Sequence, residues 1–430
     1  MRYYIETLGC PKNQVDSDKL GGLLEHRGYE RAISVEGADL VVANTCAFIE
    51  AAREESIDTV LDLAQRRREG ARLVVTGCLA ERYADELATS LPEVDVVAGF
   101  GQEFAAVTPV RVRRSPRSDF DLLNLPRPAA EAPWAYLKIA EGCDRRCGFC
   151  AIPSFRGDQR SRTPEAVLEE ARSLAAGGVR ELVLVAQDLA SWGIDRRRRR
   201  DGREAAEPLD DATDQPLVGL VEQLAREADR VRLLYLYPSS LTPRLIEAIL
   251  ATGVAYFDLS LQHVARAHLR RMRRWGDSDR FLERIDRIRS LEPTATFRSS
   301  FILGYPGETE DDHRALLAFL ESAQLDWAGF FPFSPEEGTP AAIAPDQVDP
   351  ALALERLREA SETQDAITAR RRDDLVGTRQ VLLVDAPGVA RSVHECPEID
   401  GIVEVDRRRE VGSMFEAEIV ASRGVDVVAR

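Results

Sequence analysis

Strand patterns and helix patterns alternate along the first 120 or so residues of this 430-residue chain. Short apolar runs are typical of buried strands, and the amphipathic stretches between them are typical of helices. Strands that alternate with helices form parallel sheets. We therefore predict an α/β domain with a parallel sheet over residues 1–120. Its strands are predicted at residues 3–8, 40–44 and 73–76, and its helices at residues 15–27 and 50–68.

A cysteine follows each of these three predicted strands by one or two residues: Cys10, Cys46 and Cys78. The carboxyl ends of parallel strands line a common crevice where ligands bind, so we expect the three thiols to converge. A lone cysteine is more often a small core residue, and that alternative stays open for each of the three. The repeated placement favours a site that holds metal through three thiolates.

The strand and helix alternation resumes at residue 134, after a stretch rich in Pro, Arg and Asp at residues 111–133. We interpret residues 121–133 as a linker and residues 134–364 as a second domain. Six strand–helix units indicate an open, TIM-like partial (β/α)6 barrel, whose active site would form at the C-terminal face. The six strands are predicted at residues 136–140, 182–186, 232–237, 256–261, 296–303 and 327–333.

Two further segments differ from this pattern. From residue 365 onward, short apolar runs are broken by Gly and Pro, which predicts a small C-terminal β-barrel over residues 365–430. Residues 196–200 are five consecutive arginines at the start of a charged insertion. We interpret this run as a solvated loop; a docking patch for an acidic partner is the alternative.

The first predicted barrel strand leads into Cys143, Cys147 and Cys150, spaced C-x-x-x-C-x-x-C. A four-iron four-sulfur cluster bound fully by protein takes four thiolates. Three thiolates therefore leave one iron open for a small molecule. The alternative is a zinc site with three cysteines and a histidine, but all five histidines are remote in sequence.

Net charge and composition indicate which kind of molecule this protein binds and where in the cell it is located. The net charge of −16 does not favour nucleic-acid binding, which depends on clustered cations, and it suits a basic protein. Residues 365–430 hold 10 Arg and no Lys against 13 Asp plus Glu, whereas an RNA-binding module should be basic. No apolar run is long enough to span a membrane, and the first residues are too polar for a secretory signal. We predict a cytoplasmic protein whose cysteines bind metal.

The two cysteine sets and the three-part organisation resemble the methylthiotransferases of the radical S-adenosylmethionine (SAM) superfamily. The resemblance runs along the whole chain. It is carried by Gly9-Cys10-Pro11-Lys12-Asn13, Asn44-Thr45-Cys46, Val75-Thr76-Gly77-Cys78-Leu79-Ala80, the central cysteine loop, Gly304-Tyr305-Pro306-Gly307-Glu308-Thr309 and Ser334-Pro335-Glu336-Glu337-Gly338-Thr339.

Within that family, three segments are similar to the branch that modifies an aspartate of ribosomal protein S-twelve. The tRNA-modifying branch usually has a Gln-Met-Asn-like segment after its first cysteine, where this chain has Pro11-Lys12-Asn13. The other two segments are Gln262-His263 and Pro397-Glu398-Ile399-Asp400-Gly401.

The resemblance implies a TRAM-like C-terminal barrel, two 4Fe-4S clusters and SAM as cofactors, and a basic small-subunit ribosomal protein as substrate. SAM on the central cluster would yield a 5′-deoxyadenosyl radical that takes hydrogen from the aspartate β-carbon. The N-terminal cluster would carry the sulfur to be methylated and delivered. An electron donor is also required. Two alternatives stay open: the same chemistry on a tRNA adenosine, and a non-enzymatic electron carrier or zinc scaffold.

The resemblance also implies residues that contact SAM. Phe149 would lie beside the adenine, with an ordinary packing role as the alternative. Gln187 and Asp188, at the end of the second barrel strand, would meet the methionyl or ribose groups. Arg298 and Ser300 would bind the SAM carboxylate.

Four further residues have two interpretations each or lie near the predicted site. Gly304 begins a turn whose glycines permit close backbone approach, with a plain tight turn as the alternative. Gln262 and His263 would face the barrel mouth, although His263 is as readily a structural histidine. The seventh cysteine, Cys396, is interpreted as a free surface thiol, with a fourth cluster ligand as the alternative.

Overall fold

The structure is a computed structural model that describes residues 1–100, 121–201 and 215–430. Residues 111–120 of the Pro-rich stretch and residues 202–214 of the charged insertion lie outside the described residues. In the described part, no helix is long and apolar enough to cross a bilayer.

The first hundred residues form a five-stranded parallel sheet with helices on both faces, which confirms the predicted α/β class. The strand order is β2-β1-β3-β4-β5. The elements are β1 (Arg2–Thr7), α1 (Pro11–His26), β2 (Glu30–Arg31), β3 (Leu40–Thr45), α2 (Glu50–Arg66), β4 (Arg72–Gly77), α3 (Cys78–Ser90) and β5 (Val96–Val97).

The continuous apolar runs of β3 and β4 are explained by burial on both faces. Val41 packs in one cluster with Val60 and Leu63 of α2. Its neighbour Val42 packs in a second cluster with side chains of α1, including Leu24. Successive residues of a strand point to opposite faces, which explains why residues 40–43 of β3 and 73–75 of β4 are apolar without alternation.

The central region contains nine further helices and eight strands among the described residues. They are β6 (Trp134–Lys138), β7 (Ala140–Glu141), α4 (Ile152–Arg156), β8 (Arg160–Ser161), α5 (Pro164–Ala176), β9 (Glu181–Val185), α6 (Ile194–Asp201), α7 (Pro216–Leu224), β10 (Arg230–Leu233), α8 (Pro243–Ala251), β11 (Tyr256–Gln262), α9 (Arg266–Arg271), α10 (Ser278–Leu291), β12 (Thr296–Leu303), α11 (Glu310–Ala323), β13 (Trp327–Pro332) and α12 (Pro350–Asp373).

Six parallel strands form the predicted partial barrel. They are paired as β6-β9-β10 and β11-β12-β13, and one parallel bridge between Leu236 and Leu259 connects the two sets. Strand β10 ends at Leu233, earlier than predicted, because Tyr235 has a left-handed φ of 62°. That conformation interrupts the ladder, and the Tyr235 N–H donates instead to Asp258 at 2.9 Å.

The C-terminal segment is a closed five-stranded barrel, as predicted. Its strand order is β14-β15-β16-β18-β17. Its core holds Leu382, Val403 and Ile419, all fully buried. The strands are β14 (Arg379–Ala386), β15 (Val389–Arg391), β16 (Val403–Glu404), β17 (Met414–Arg423) and β18 (Asp426–Ala429).

The chain divides into two compact units. The first comprises Met1–Ala129, Ala140–Asp144 and Ala151–Arg162, and the second comprises Ala130–Ile139, Arg145–Cys150 and Thr163–Arg430. The domain boundaries predicted from sequence stay predictions. Part of the predicted linker packs on α1, because Lys19 Nζ donates to the Leu125 carbonyl at 2.9 Å. Helix α12 (Pro350–Asp373) spans the boundary that the sequence predicts between residues 364 and 365.

The interpretation of the arginine run as a loop is wrong for its described part. Residues 196–200 belong to helix α6. Arginine has a high helix propensity, and Asp195 in the first turn complements the helix dipole. A run of like charges therefore does not prevent a helix here.

Candidate functional site

The first three cysteines lie at the carboxyl edge of the five-stranded sheet. Cys46 and Cys78 directly follow β3 and β4, and Cys10 is the N-cap of α1, shortly after β1. The ends of these strands are in register, since Thr7 of β1 pairs with Asn44 of β3, and the last residues of β3 and β4 also pair. Cys46 and Cys78 are buried and Cys10 is partly exposed. Parallel topology thus places all three at one edge.

Two glycines allow the cysteine-bearing turns to approach each other. A Cβ added to Gly9, which has a φ of 92°, would lie 2.9 Å from the Cys46 Sγ. A Cβ added to Gly77, which has a φ of 94°, would lie 2.6 Å from the Thr45 backbone nitrogen. Left-handed φ and lack of space both exclude a side chain. The sequence shows these glycines beside cysteines, but the close approach that requires them appears only in the structure.

Two buried amides tie the strand ends together. Asn13 Nδ2 donates to the carbonyls of Leu8 at 2.8 Å and Thr45 at 3.1 Å. Asn44 Nδ2 donates to the Asn13 carbonyl at 2.8 Å. Each bond links residues beside one cysteine to residues beside another. The site is therefore held by side chains that are buried and hydrogen-bonded, which keeps its shape before any metal binds.

The electrostatics of the three thiols show that they share one environment. Burial, and then the negative charges of Cys78 and Cys10, raise the pKa of Cys46 to about 12. Burial also raises the pKa of Cys78. Burial opposes ionisation of Cys10 too, but Lys12 and Arg156 outweigh it and lower the pKa of that thiol. A bound cation would replace the protons, since thiolates are the metal ligands.

Within residues 1–100, 121–201 and 215–430, no three His, Cys, Asp or Glu side chains come close enough together to hold a single metal ion. In a four-iron cluster each thiolate binds its own iron, so its three sulfurs do not have to surround one metal. The role of Cys10, Cys46 and Cys78 as ligands of such a cluster stays a prediction.

One residue beside this set had no signal in the sequence. Arg156, the last residue of α4, donates through Nη2 to the Cys78 Sγ at 3.1 Å. It stands six positions after Cys150, and local patterns connect it with the central cysteine loop rather than with Cys78.

The central cysteine loop is anchored by backbone hydrogen bonds in both units. In the first unit, the Cys143 N–H donates to the Gly157 carbonyl at 3.0 Å. In the second unit, the Cys150 N–H donates to the Cys147 carbonyl at 3.2 Å, and the Gly148 N–H donates to the Met272 carbonyl at 2.9 Å. These bonds fix the backbone around the predicted ligands. Their role as ligands stays a prediction.

Two arginines and a tyrosine connect Cys147 with Asp188 in the second unit. Arg274 Nη1 lies 3.6 Å from the Cys147 Sγ. Arg145 Nε donates to Asp188 at 2.6 Å. Both guanidinium groups lie over the Tyr237 ring, at 4.0 Å for Arg274 and 3.7 Å for Arg145. The structure thus brings a predicted ligand and a predicted SAM-contacting residue into one basic neighbourhood. Sequence reasoning missed both arginines.

Two other predicted contacts of SAM lie next to these residues in the sequence. Phe149 and Gln187 are partly exposed. Gln187 directly precedes Asp188, and both follow β9. Their contacts with SAM stay predictions.

Gln262 and His263 are placed differently from each other. Gln262 ends β11 with a left-handed φ of 71°, beside a shift in strand register. Such backbone strain clusters at functional sites. His263 is fully buried and accepts from the Ala265 N–H at 3.0 Å. Burial, reinforced by the charge of His268, lowers the pKa of His263 to about 3. Its other ring nitrogen, Nε2, is buried and has no hydrogen-bond partner among the described residues. Burial is compatible with a structural histidine, and the expectation that His263 faces the barrel mouth stays a prediction.

Arg298 is occupied by carboxylates of the protein. It is the third residue of β12, and its guanidinium lies 3.2 Å from Asp258 and 3.5 Å from Asp400. Ser300, two residues further along the same face, is partly exposed. These two carboxylates contact Nη1 and Nε of the guanidinium. A contact of Arg298 with the SAM carboxylate stays a prediction. The role of Ser300 stays a prediction.

Gly304 serves packing and turn formation. Its φ is 75°, and an added Cβ would collide with Ala353 of α12. Its N–H and that of Tyr305 donate to the Glu308 carboxylate. The turn itself requires a glycine here, and a contact of Gly304 with SAM stays a prediction.

The interpretation of Cys396 as a surface thiol is wrong. The residue is completely buried, and that burial raises the pKa of its thiol. Its N–H donates to Asp400 at 2.9 Å. The segment around it also contributes the His394 carbonyl, which accepts from Trp327 Nε1 at 2.9 Å. Local sequence showed a polar, Pro-containing turn, and packing of that turn against distant strands buries the cysteine.

Comparison with protein families matches three models. Residues 2–99 match an uncharacterized protein family, UPF0004; residues 137–320 match the radical SAM superfamily; and residues 366–430 match the TRAM domain. Two solved structures share the fold. Radical S-adenosylmethionine methyltransferase TsrM from Kitasatospora setae is 14% identical, with a TM-score of 0.50, over 85% of this chain and 89% of that chain. The radical enzyme OxsB is 11% identical, with a TM-score of 0.51, over 85% and 56%.

Curated relatives match nearly the whole chain. A protein of Moorella thermoacetica is 43% identical over 94% of this chain and 93% of its own length. Proteins of Saccharopolyspora erythraea and Trichlorobacter lovleyi are 40% and 39% identical, over 100% and 98% of this chain and 95% and 96% of their own lengths. All three are named ribosomal protein uS12 methylthiotransferase RimO. With that identity over the full length, the chain belongs to the RimO family of methylthiotransferases, within the radical SAM superfamily.

Proposed function

We propose that this chain places a methylthio group on the β-carbon of an aspartate in ribosomal protein uS12. The observation that carries the proposal is the convergence of Cys10, Cys46 and Cys78 at one sheet edge, in a chain whose central loop holds a second three-cysteine set. One radical SAM cluster would suffice to generate a radical. A second cluster with an open iron could carry the sulfur atom that is to be methylated and transferred. This requirement distinguishes insertion of a methylthio group from radical reactions that need one cluster only.

The ligands proposed for the two 4Fe-4S clusters are Cys10, Cys46 and Cys78 for one, and Cys143, Cys147 and Cys150 for the other. When bound, the clusters and SAM supply the radical that removes hydrogen from an unactivated carbon and the sulfur that replaces it. The chain itself provides the setting. Arg145 orients the buried Asp188 carboxylate, and Arg274 keeps a positive charge beside Cys147. The proposed contacts of SAM are Phe149, Gln187, Asp188, Arg298, Ser300 and Gly304.

Charge supports a protein substrate over RNA. The chain carries −16, and its C-terminal barrel region has more acidic than basic residues. Such a surface attracts a basic ribosomal protein and repels a phosphate backbone. The names of the relatives support uS12 in particular. The proposed location is the cytoplasm, where the substrate and an electron donor would be met.

Mass spectrometry of ribosomal proteins tests the function directly. The full chain is expressed in a bacterial host that lacks its own enzyme of this family, and uS12 is compared with and without it. We expect one methylthio group on an aspartate of uS12 and unchanged tRNA nucleosides. A methylthio group on a tRNA adenosine, with uS12 unmodified, would instead establish the tRNA alternative.

Two matched triple variants separate the cluster roles. The C10A/C46A/C78A variant should retain SAM cleavage to 5′-deoxyadenosine after anaerobic reconstitution, yet form no methylthio product. The C143A/C147A/C150A variant should lose both. If the wild-type chain binds iron but releases no 5′-deoxyadenosine when reduced with SAM, it is an electron carrier or scaffold. Each variant changes three thiols, so the comparison controls for the number of substitutions.

A further inference from the structure

A buried guanidinium group lies against the first cysteine set. Arg156 closes helix α4 and its side chain is 2% exposed. Its Nη2 donates to the Cys78 Sγ at 3.1 Å and also to the Asn13 Oδ1. Both acceptors belong to the first unit, as Arg156 does. A charged group is rarely buried without partners. The partners of this guanidinium group therefore determine its orientation toward the cysteine.

The two arms of the guanidinium have different partners. Nη1 donates to the buried Asp16 carboxylate at 3.0 Å and to Glu141 at 3.0 Å. The plane of the group lies over the Phe100 ring, 4.1 Å from its centroid. The two carboxylates therefore fix the position of Nη1, and the Phe100 ring fixes the plane of the guanidinium group. As a result, Nη2 points at the Cys78 sulfur. The contact with Cys78 follows from an orientation fixed on several sides.

Arginine keeps its charge under all conditions in which a protein is folded. Away from water, a charge acts on its neighbours more strongly than at the surface. Reduction adds a negative charge to an iron–sulfur cluster, and hydrogen bonds to the sulfurs together with local charge set its reduction potential. A permanent cation donating to one ligand sulfur stabilises the reduced cluster more than the oxidised one.

We infer that Arg156 is a positioning residue of the first cluster site, which holds the Cys78 thiolate and raises the reduction potential of the cluster bound there. The inference rests on the proposed function, which makes Cys10, Cys46 and Cys78 cluster ligands. It goes further by giving the arginine, contributed from just after the central cysteine loop, an electrostatic role at the other site.

The test uses the full chain carrying C143A/C147A/C150A, reconstituted anaerobically, so that only the first site can hold a cluster. R156M/D16N is compared with D16N, because removing Arg156 alone would take the guanidinium charge away from the buried Asp16 carboxylate. Iron per chain and the midpoint potential, followed by electron paramagnetic resonance, are measured for both. We expect a more negative potential in R156M/D16N at equal iron content.

A second variant guards against a folding defect. R156Q/D16N replaces the ion pair by two amides that can still hydrogen-bond, and it should shift the potential in the same direction. The other cysteine set supplies the control. In the C10A/C46A/C78A background, R274M should lower the potential of the remaining cluster by more than R156M/D16N does, since Arg274 contacts Cys147.

The outcomes separate this inference from the function beneath it. Equal potentials and equal iron in D16N and both Arg156 double variants would overturn the role of Arg156. Loss of iron in the Arg156 variants alone, with unchanged thermal melting of the metal-free protein, would support its hold on the thiolate. If the C143A/C147A/C150A parent itself binds no iron, the proposed second cluster fails, and the inference fails with it.

Discussion

Glu181 and Arg391 are joined by an ion pair of 2.9 Å, although 210 positions separate them in the sequence. Glu181 begins β9 of the partial barrel, and Arg391 ends β15 of the C-terminal barrel. Both side chains are almost completely buried. The other oxygen of Glu181 accepts from Arg232 Nε at 2.7 Å. The Glu181 carboxylate therefore pairs with guanidinium groups from both the partial barrel and the C-terminal barrel. We expect these ion pairs to contribute to the stability of the second unit.

Replacing Glu181 by glutamine should strongly destabilise the second unit. The amide keeps the shape but removes the carboxylate charge that buried Arg232 and Arg391 share, although Asp385 still pairs with Arg391. Loss of one partner of a buried ion pair typically costs about 3–5 kcal/mol. Urea unfolding of the metal-free protein measures the change. The control is E416Q, which removes the exposed partner of Arg379 and should leave the free energy of unfolding nearly unchanged. Equal effects of the two variants would contradict this view of Glu181.

The same carboxylate predicts a pH dependence. Burial opposes ionisation of Glu181, but Arg232, Arg391 and Arg230 outweigh it and lower its pKa from 4.5 to about 2. The unfolded chain binds this proton more readily, so the contribution to stability is complete above pH 4.5 or so and is lost as the pH falls toward 2. A shift of this size corresponds to about 3 kcal/mol.

Unfolding of the metal-free wild type and E181Q between pH 6 and pH 2 isolates that contribution, because all other carboxylates are common to both. The difference in the free energy of unfolding between the two proteins should shrink as the pH falls below the ordinary range of a glutamate. A difference that stays constant with pH would show that Glu181 does not titrate as its partners require.

Gly77→Ala should damage the first cysteine site. The new Cβ would meet the backbone of Thr45, and the residue would also have to keep a left-handed φ. Gly70 supplies the control, since its φ is 80° but nothing lies within 4 Å of an added Cβ. G70A should cost only the conformational penalty of about 1–2 kcal/mol. Iron analysis after reconstitution should show reduced loading in G77A alone; equal iron in both variants would mean that the turn relaxes around the methyl group.

Cys396 should behave as a buried core residue. We expect C396A to bind as much iron as the wild type, because the thiol is completely enclosed by protein. In the native chain this cysteine should resist alkylation for as long as the protein stays folded, and it should react in urea. Peptide mass mapping measures both. Loss of iron in C396A would restore the alternative of a fourth cluster ligand.

Much of the architecture was accessible from local patterns. The strand preceding each of Cys10, Cys46 and Cys78 was evident from a short apolar run, and parallel topology then required the three to share an edge. The five-stranded C-terminal barrel was likewise indicated by short runs between turn residues. Periodicity and turn chemistry act over a few residues, so they can be read without knowledge of the rest of the chain.

The sequence by itself determined the three-part organisation, the strands that precede the two cysteine sets, and the resemblance to the family. Only the tertiary structure decided that Arg156 contacts Cys78, that His263 and Cys396 are buried, and that Arg298 is held by Asp258 and Asp400. Each of these facts depends on segments far apart in the chain that packing brings together. Local patterns specify which face of an element is apolar, whereas the partner of a buried charge is chosen by the packed fold as a whole.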